Sequence, residues 1–442
     1  MNRLTYQILR FNHALKQWVL TQFTLSGLGI LCAAFMCGLI SVDIKRSVSY
    51  QIFALALGLI AAAALMLPFA RRRVEMTRVL PRFGTVGVPM TYQIHIRNPN
   101  RKRLLGLKLF EQFAHTFPTF EEFKTVFSKE REFQRKAWFS LLARKQWAFA
   151  PAQSLPPLKA EESMQVSGQV VPLRRGVLQF HRAVIACPEP MGLANRRLKL
   201  SLSQSVLILP KRYPLPDIRL PGTKSDRTHG EAVSIQKGTS EEFRALREYR
   251  PGDPMRKIHW KSWAKTGRPI IREDQDSHEM HHALILDTFV DADYSEVLEE
   301  AVAIASSFAY TIQSNQSRLN LVFTGSQVHS FTDGSCLHRT ERILETLAGV
   351  QPDRDRPFNS LVSAAQYHMA SMRGCLCIFL DWDKERQALV EQLQTARIDT
   401  LALVIEDERG LSQALDRSCL RTRNSRIEVL NVHNIPERLL QL

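Results

Sequence analysis

Two uncharged apolar segments near the start of the chain limit its fold more than any other feature. "WVLTQFTLSGLGILCAAFMCGLISV" runs from Trp18, and "IFALALGLIAAAALMLPFA" runs from Ile52. Each is long enough for a ~30 Å hydrocarbon core, which takes about 20 residues to cross. A core helix of a soluble protein this long normally carries charge on one side, and these carry none. A cleaved signal peptide fits poorly, because the first segment is long and the second comes directly after it. Residues 1–74 are therefore expected to form a transmembrane helical hairpin. Arg3, Arg10 and Lys16 precede the first span, and Arg71, Arg72, Arg73 and Arg78 come after the second. The loop between them offers only Lys45 and Arg46 against Asp43. By the excess of positive charge on cytoplasmic flanks, both termini and the rest of the chain should face the cytoplasm.

At 442 residues the chain is too long for one ordinary domain, and two or three folded units are expected. Charge divides it. The formal net charge is +16, yet His281–Leu442 holds 15 Lys/Arg against 22 Asp/Glu. The front part is thus strongly basic, suited to anionic lipid, while the back is acidic and offers a different surface to partners. Seven cysteines, an odd number without framework spacing, point to a reducing compartment. Cys375 and Cys377 fall on one side of an expected strand, where small buried thiols are common.

Residues 75–210 read as a β-sandwich-like domain. "TYQIHIRNPN" alternates and ends in an Asn-Pro-Asn turn, and "RGVLQFHRAVIACPEPMGL" and "LSQSVLILP" supply later strands. A Phe-rich insertion at about 110–150 breaks the pattern. Phe110, Phe113, Phe117, Phe120, Phe123 and Phe127 recur at helical spacing, interrupted by Pro118. Either a helical hairpin packs on the sandwich, or this aromatic, basic segment rests on the bilayer surface. Residues 211–280 begin as a Pro/Gly-rich linker. From residue 281 to 442, continuously apolar strands alternate with amphipathic helices, the pattern of an open α/β sheet covered on both faces.

Such sheets bind ligands beyond the carboxyl ends of their strands. The carboxylates expected there are Asp287, Asp291 and Asp293 after one strand, and Asp381 and Asp383 after another. Oxygen donors of this kind suit a hard cation, whereas the bland alternative is solvated helix caps. No phosphate-binding glycine loop, nucleophile elbow or H-E-x-x-H helix occurs. Thr332-Asp333-Gly334 reads as a turn, and His281-His282 lack a ligand partner.

The linker ends in "EFRALREYRPGDPMRKIHWKSWAKTGRPIIRE", residues 242–273, with nine Lys/Arg, two Trp and four acids. Thr239 to Glu242 matches a capping box opening a helix "FRALREY". Arg250-Pro251-Gly252-Asp253 is a turn, "MRKIHWKSWAK" a second helix and "TGRPIIRE" a strand. Glu242, Phe243, Leu246, Arg247, Tyr249, Pro251, Gly252, Asp253, Arg256, Ile258, Trp260, Lys261, Ala264, Lys265 and Gly267 resemble the signature of the bacterial family called domain of unknown function 58. The hairpin, the "EPMGL" ending of the β region and the α/β region are similar to that family as well.

The resemblance implies a membrane-anchored protein with a von Willebrand factor A-like C-terminal domain. It also implies an adaptor or scaffold role beside a MoxR-type AAA+ ATPase and transglutaminase-like membrane proteins. A von Willebrand A domain holds Mg²⁺ through Asp-x-Ser-x-Ser. The corresponding run here is Asp287-Thr288-Phe289-Val290-Asp291, whose two hydroxyl positions are lost to Phe289 and Asp291. The expectation is a non-enzymatic adaptor with a degenerate metal site. The alternatives are a nucleic-acid-binding membrane protein and a metal-dependent hydrolase using Asp287, Asp291 and Asp381.

Overall fold

A computed structural model describes residues 2–40, 47–66, 72–114, 117–129, 134–216, 243–251, 253, 255–274, 281–292, 294–314, 318–323, 336–354, 356–369, 372, 374–406 and 425–442. They form two units, Met1–Lys211 with Leu344–Gly349, and Arg212–Ile343 with Val350–Leu442.

In the first unit, α1 (Asn2–Gln22), α2 (Leu25–Ile40) and α3 (Ser47–Met66) precede the sheets. Among the described residues, one helix is long and apolar enough to cross a membrane, Val48–Met66, and α2 is a shorter apolar helix. The first apolar segment is therefore not a single helix from Trp18. It breaks at Phe23–Thr24, and the break has a cause in the β region. Thr24 gives its N–H to Leu193 O (3.1 Å) and its hydroxyl to Gly192 O (2.5 Å), while Ser26 donates to the same Gly192 carbonyl (2.9 Å). Phe23 also bridges to Ala194. A methyl on Gly27 would stand 1.8 Å from Leu193 O, so only glycine lets the backbones meet.

The "EPMGL" run is the counterpart of that break. Glu189, buried, accepts N–H bonds from Met191 (2.5 Å), Leu193 (2.7 Å) and Ala194 (3.3 Å). One carboxylate thus folds the loop and aims two carbonyls at the helix break.

Two sheets share a core. The strands are β1 (Glu75–Val79), β2 (Phe83–Thr85), β3 (Met90–Arg97), β4 (Lys108–Phe113), β5 (Ala148–Phe149), β6 (Gln153–Ser154), β7 (Ser163–Pro172), β8 (Gly176–Pro188), β9 (Asn195–Leu200) and β10 (Gln204–Leu209). One sheet runs β1-β3-β7-β5; the other runs β2-β10-β8-β4-β6, with β9 on β8. β3 alternates buried and exposed along its whole length, as "TYQIHIR" requires. Ile94 and Ile96 from one sheet meet Leu109, Phe180, Ile185 and Ile208 from the other in a single cluster. After β3, buried Asn98 holds the Asn-Pro-Asn turn by donating to Lys102 O (3.0 Å) and Lys159 O (2.7 Å).

The Phe stripe is not one helix. Phe110 and Phe113 belong to β4, and Phe113 packs edge-on to Phe180 in the sheet core. Only after Pro118 does α4 (Phe120–Lys129) begin, opened by a reciprocal box: Thr119 N–H to Glu122 (2.7 Å) and Glu122 N–H to Thr119 Oγ1 (3.4 Å). With α5 (Gln134–Lys145) it makes a helical pair whose buried Phe123 and Trp138 close on Tyr6 of α1. This aromatic cluster is built with α1 rather than with the sheets.

The second unit carries a two-stranded antiparallel hairpin, β11 (Phe243–Glu248) with β12 (Ile270–Asp274). "FRALREY" is thus a strand, not the expected helix; Thr239 and Glu242 lie outside the described residues. Pairing with the β-branched Ile270–Ile271 overrides the local helical propensity. "MRKIHWKSWAK" splits into a 3₁₀ turn (Met255–Lys257) and α6 (Trp260–Thr266). Ile258 bridges to Ile271, and His259 N–H donates to Ile270 O (2.8 Å), so extended backbone interrupts the helix. Gly267, at φ 68°, ends α6 in the left-handed region, with its N–H on Trp263 O.

Beyond the hairpin come β13 (His281–Leu286), α7 (Glu296–Ser314), β14 (Arg318–Phe323), α8 (Cys336–Gly349), α9 (Asn359–Met369), β15 (Gly374–Phe379), α10 (Lys384–Thr395), β16 (Asp399–Glu406), β17 (Arg426–Asn431) and α11 (Ile435–Leu439). The five strands are parallel in the order β14-β13-β15-β16-β17. β15 is buried at every position, as its continuous apolar run predicts. Cys375 and Cys377 are buried side by side, 3.6 Å apart at sulfur. Contact with Cys375, and then burial, push the Cys377 thiol well up, leaving it no thiolate character.

Candidate functional site

In a parallel sheet of this order the chain leaves β13 toward one edge and later returns on its other side as β15. The crevice between the two strand ends is where such folds place ligands. Asp287 stands there, one residue past β13, wholly buried. Its N–H donates to Ile378 O of β15 (2.9 Å). One carboxylate oxygen accepts from Phe289 N–H (3.0 Å), the other from Leu380 N–H (3.2 Å). The second oxygen also accepts from Arg386 Nε at 2.7 Å.

Arg386 lies in the first turn of α10 and is itself buried. A cation at a helix N-terminus opposes the macrodipole, so local charge must compensate it. Asp383, the N-cap of α10, accepts the Arg386 backbone N–H (2.9 Å) and also pairs with Arg386 Nη1. Burial works against charge on Arg386. The charges of Asp287, then Asp383 and Asp381, outweigh it and hold the guanidinium above its ordinary pKa. Its flat face covers the Phe358 ring at 4.8 Å.

The strand-end carboxylates therefore already have their cation, supplied by the chain. Asp381 accepts its neighbour Trp382's N–H (2.7 Å), and Asp291 is exposed on its loop. Among the described residues no group of three or more His, Cys, Asp or Glu could hold a metal ion, so Asp287, Asp291 and Asp381 are not gathered into one. Asp293 and Thr332-Asp333-Gly334 lie outside the described residues. Among the described residues the donors do not fit Mg²⁺: one Asp287 oxygen is shared by a guanidinium and an amide, and the Phe289 side chain brings no oxygen.

The hairpin carries the second constellation. Arg247 grips Asp253 with both ends of its fork (2.7 and 2.8 Å). Asp253 also accepts Arg250 N–H (2.9 Å), and its own N–H closes the turn on Arg250 O (3.0 Å). These bonds, the Arg247 one foremost, lower the Asp253 carboxyl to about 2. Tyr249 N–H bonds Pro269 O, and Arg268 pairs with Glu248 at 3.0 Å.

Arg247 is thus turned inward, whereas Arg256, Lys257, Lys261 and Lys265 are exposed. Trp260 and Trp263 stack at 5.2 Å with 18° between planes, and Trp260 is 65% exposed. Leu246 and Pro251 are exposed as well. Phe243 sits in β11, and Glu242 and Gly252 lie outside the described residues.

Residues 245–415 match the family model described as "Protein of unknown function DUF58". The match takes in most of the signature, Asp287 and Arg386. A relative, the uncharacterized protein YeaD of Bacillus subtilis (strain 168), is 23% identical over 175 residues, 39% of this chain. The aligned stretch spans 42% of that relative's length.

Among solved structures, the chain is similar to the CARDB domain of the PF1109 protein from Pyrococcus furiosus, at 12% identity and a TM-score of 0.17. That likeness covers 31% of this chain and 92% of that one. A cohesin module from Clostridium perfringens matches at 12% identity and a TM-score of 0.16, covering 31% and 98%. Scores this low carry no argument about fold or function.

Reading the sequence alone missed Arg386 and Glu189. The signal for Arg386 was present: an arginine in the first turn of a helix, between two strand-end aspartates and a buried strand. The signal for Glu189 was an acid opening a Pro/Gly loop with no basic neighbour to pair it.

Proposed function

We propose that the protein is a membrane-anchored adaptor that works by binding rather than by catalysis. The observation that carries this reading is the Asp287–Arg386–Asp383 cluster. At the crevice where a sheet of this kind would place a ligand or metal, the buried carboxylate of Asp287 already pairs with an internal guanidinium. A von Willebrand factor A-like origin for the unit would make Arg386 a built-in substitute for the lost cation.

On this reading the apolar helices anchor the chain in the bacterial cytoplasmic membrane by two spans, with both termini and the soluble units inside. The exposed Trp260, Arg256 and Lys261 beside the internally locked Arg247–Asp253 turn supply a contact surface suited to an acidic protein face. The MoxR-type AAA+ ATPase implied by the signature is the partner proposed for it. Affinity purification of the full chain from detergent-extracted membranes, with and without ATP, tests this. Recovery of an AAA+ ATPase that Trp260→Ala with Lys261→Glu abolishes is expected; recovery of none contradicts it.

Nucleic acid is the second reading, favoured by the stacked tryptophans among exposed cations. It predicts oligonucleotide binding that weakens steeply with salt.

A further inference from the structure

α1 carries a stripe that the anchor alone does not account for. Leu4, Ile8, Phe11, Leu15 and Trp18 recur at three- and four-residue spacing, and at 100° per residue they fall within an arc of roughly 80°. All five are between 43% and 66% exposed. The opposite face is already occupied, because Tyr6 is buried against Phe120, Phe123 and Trp138 of the α4–α5 pair. The exposed stripe is therefore the outer side of a helix fixed in place, not a face waiting to fold inward.

Two further observations say what covers it. The first is continuity: only Phe23 and Thr24 separate α1 from the apolar α2, and Trp18 stands at the joining end. The second is charge. α1 contains Arg3, Arg10 and Lys16 and no acidic residue. Arg3 and Arg10 flank the stripe on one side, each held over a ring of the insertion, Phe120 at 5.7 Å and Phe117 at 5.6 Å. They line an open cleft of about 460 Å³ with Tyr6, Gln7, Phe11 and Phe120. Among the described residues no carboxylate pairs with either guanidinium.

We infer that α1 lies in the plane of the bilayer surface. Its five apolar side chains enter the headgroup–acyl boundary, and Arg3 and Arg10 hold the phosphates of anionic lipids. The Phe-rich insertion is then the brace that holds α1 from the water side. Burying such a face at the boundary is the usual mode of amphipathic helices, and basic residues beside it add attraction to an anionic leaflet. The inference rests on the membrane-anchor reading above.

The test places photoreactive p-benzoylphenylalanine singly at Leu4, Phe11, Leu15, Asn12, Lys16, Leu55 and Leu57 in the full chain. The variants are reconstituted in vesicles of phosphatidylglycerol with phosphatidylcholine, or of phosphatidylcholine alone. Lipid adducts are expected at Leu4, Phe11, Leu15, Leu55 and Leu57 and not at Asn12 or Lys16. Adduct yield at Phe11 should fall in Arg3→Gln/Arg10→Gln only when phosphatidylglycerol is present; an equal yield in both lipids refutes the phosphate contact. Adducts in α3 without any in α1 overturn the inference and leave the anchor standing. Crosslinks from Phe11 to a second copy overturn it as well. Lack of adducts in α1 and α3 alike removes the anchor reading itself.

Discussion

Replacing Arg386 by Met keeps an unbranched apolar stem and deletes the guanidinium with its charge. Asp287, fully buried, would keep its amide donors from Phe289 and Leu380 but lose the Arg386 guanidinium at 2.7 Å. Removing one partner of a buried ion pair typically costs about 3–5 kcal/mol, because the remaining charge is stranded. Asp287→Asn should cost less, about 1–3 kcal/mol, since Arg386 keeps Asp383 and Asp381. The double variant should be less destabilised than the sum of the singles, as a double-mutant cycle of coupled residues requires. In a chain of several units global melting is not two-state, so amide hydrogen exchange of β13 and β15, monitored by mass spectrometry, is the suitable assay. A change within about 0.5 kcal/mol in Arg386→Met, the size of an ordinary surface substitution, would refute the structural role given to this pair.

Three further outcomes rest on particular contacts. Gly168→Ala would set a methyl 2.4 Å from Tyr92 Cζ, whose hydroxyl donates to Glu111 beside Arg78. The β unit should lose about 1–3 kcal/mol by overpacking, read by protease resistance of β3 and β7. Gly27→Val, pressed onto Leu193 O, should undock the "EPMGL" loop and raise exchange at Leu193 and Ala194 while leaving β13 unchanged. Asp253 has a folded pKa of about 2, below its ordinary 3.8. Its ion pair with Arg247 should be fully present above about pH 4 and be lost only as pH falls toward 2. NMR titration of its side-chain carboxyl would show this, and a midpoint near 4 would contradict the bidentate contact.

Much of the architecture was legible because its signals are long and periodic. The alternation in Met90–Arg97 and the apolar runs of β13, β15 and β16 read directly as a half-buried strand and buried parallel strands. What misled was short-range. Phe110 and Phe113 fit helical spacing but sit in β4, whose pairing with β8 is set far away in sequence. "FRALREY" has helical propensity and a plausible cap, yet its partner strand lies more than twenty residues on. The helix break at Thr24 is invisible in hydropathy, since its cause is a pair of carbonyls at Gly192 and Leu193. At the candidate site, Asp287 was found by its place after a strand. Its counter-charge was not, because Arg386 reaches it from ninety-nine residues away through the fold.

Calorimetric titration of the full chain in detergent with Mg²⁺ and Mn²⁺, beside Asp287→Asn, tests the central claim most directly. An internally compensated cluster predicts no saturable heat from either protein. Saturable binding to the wild type that Asp287→Asn abolishes would show a working cation site, and the binding-only account would fall.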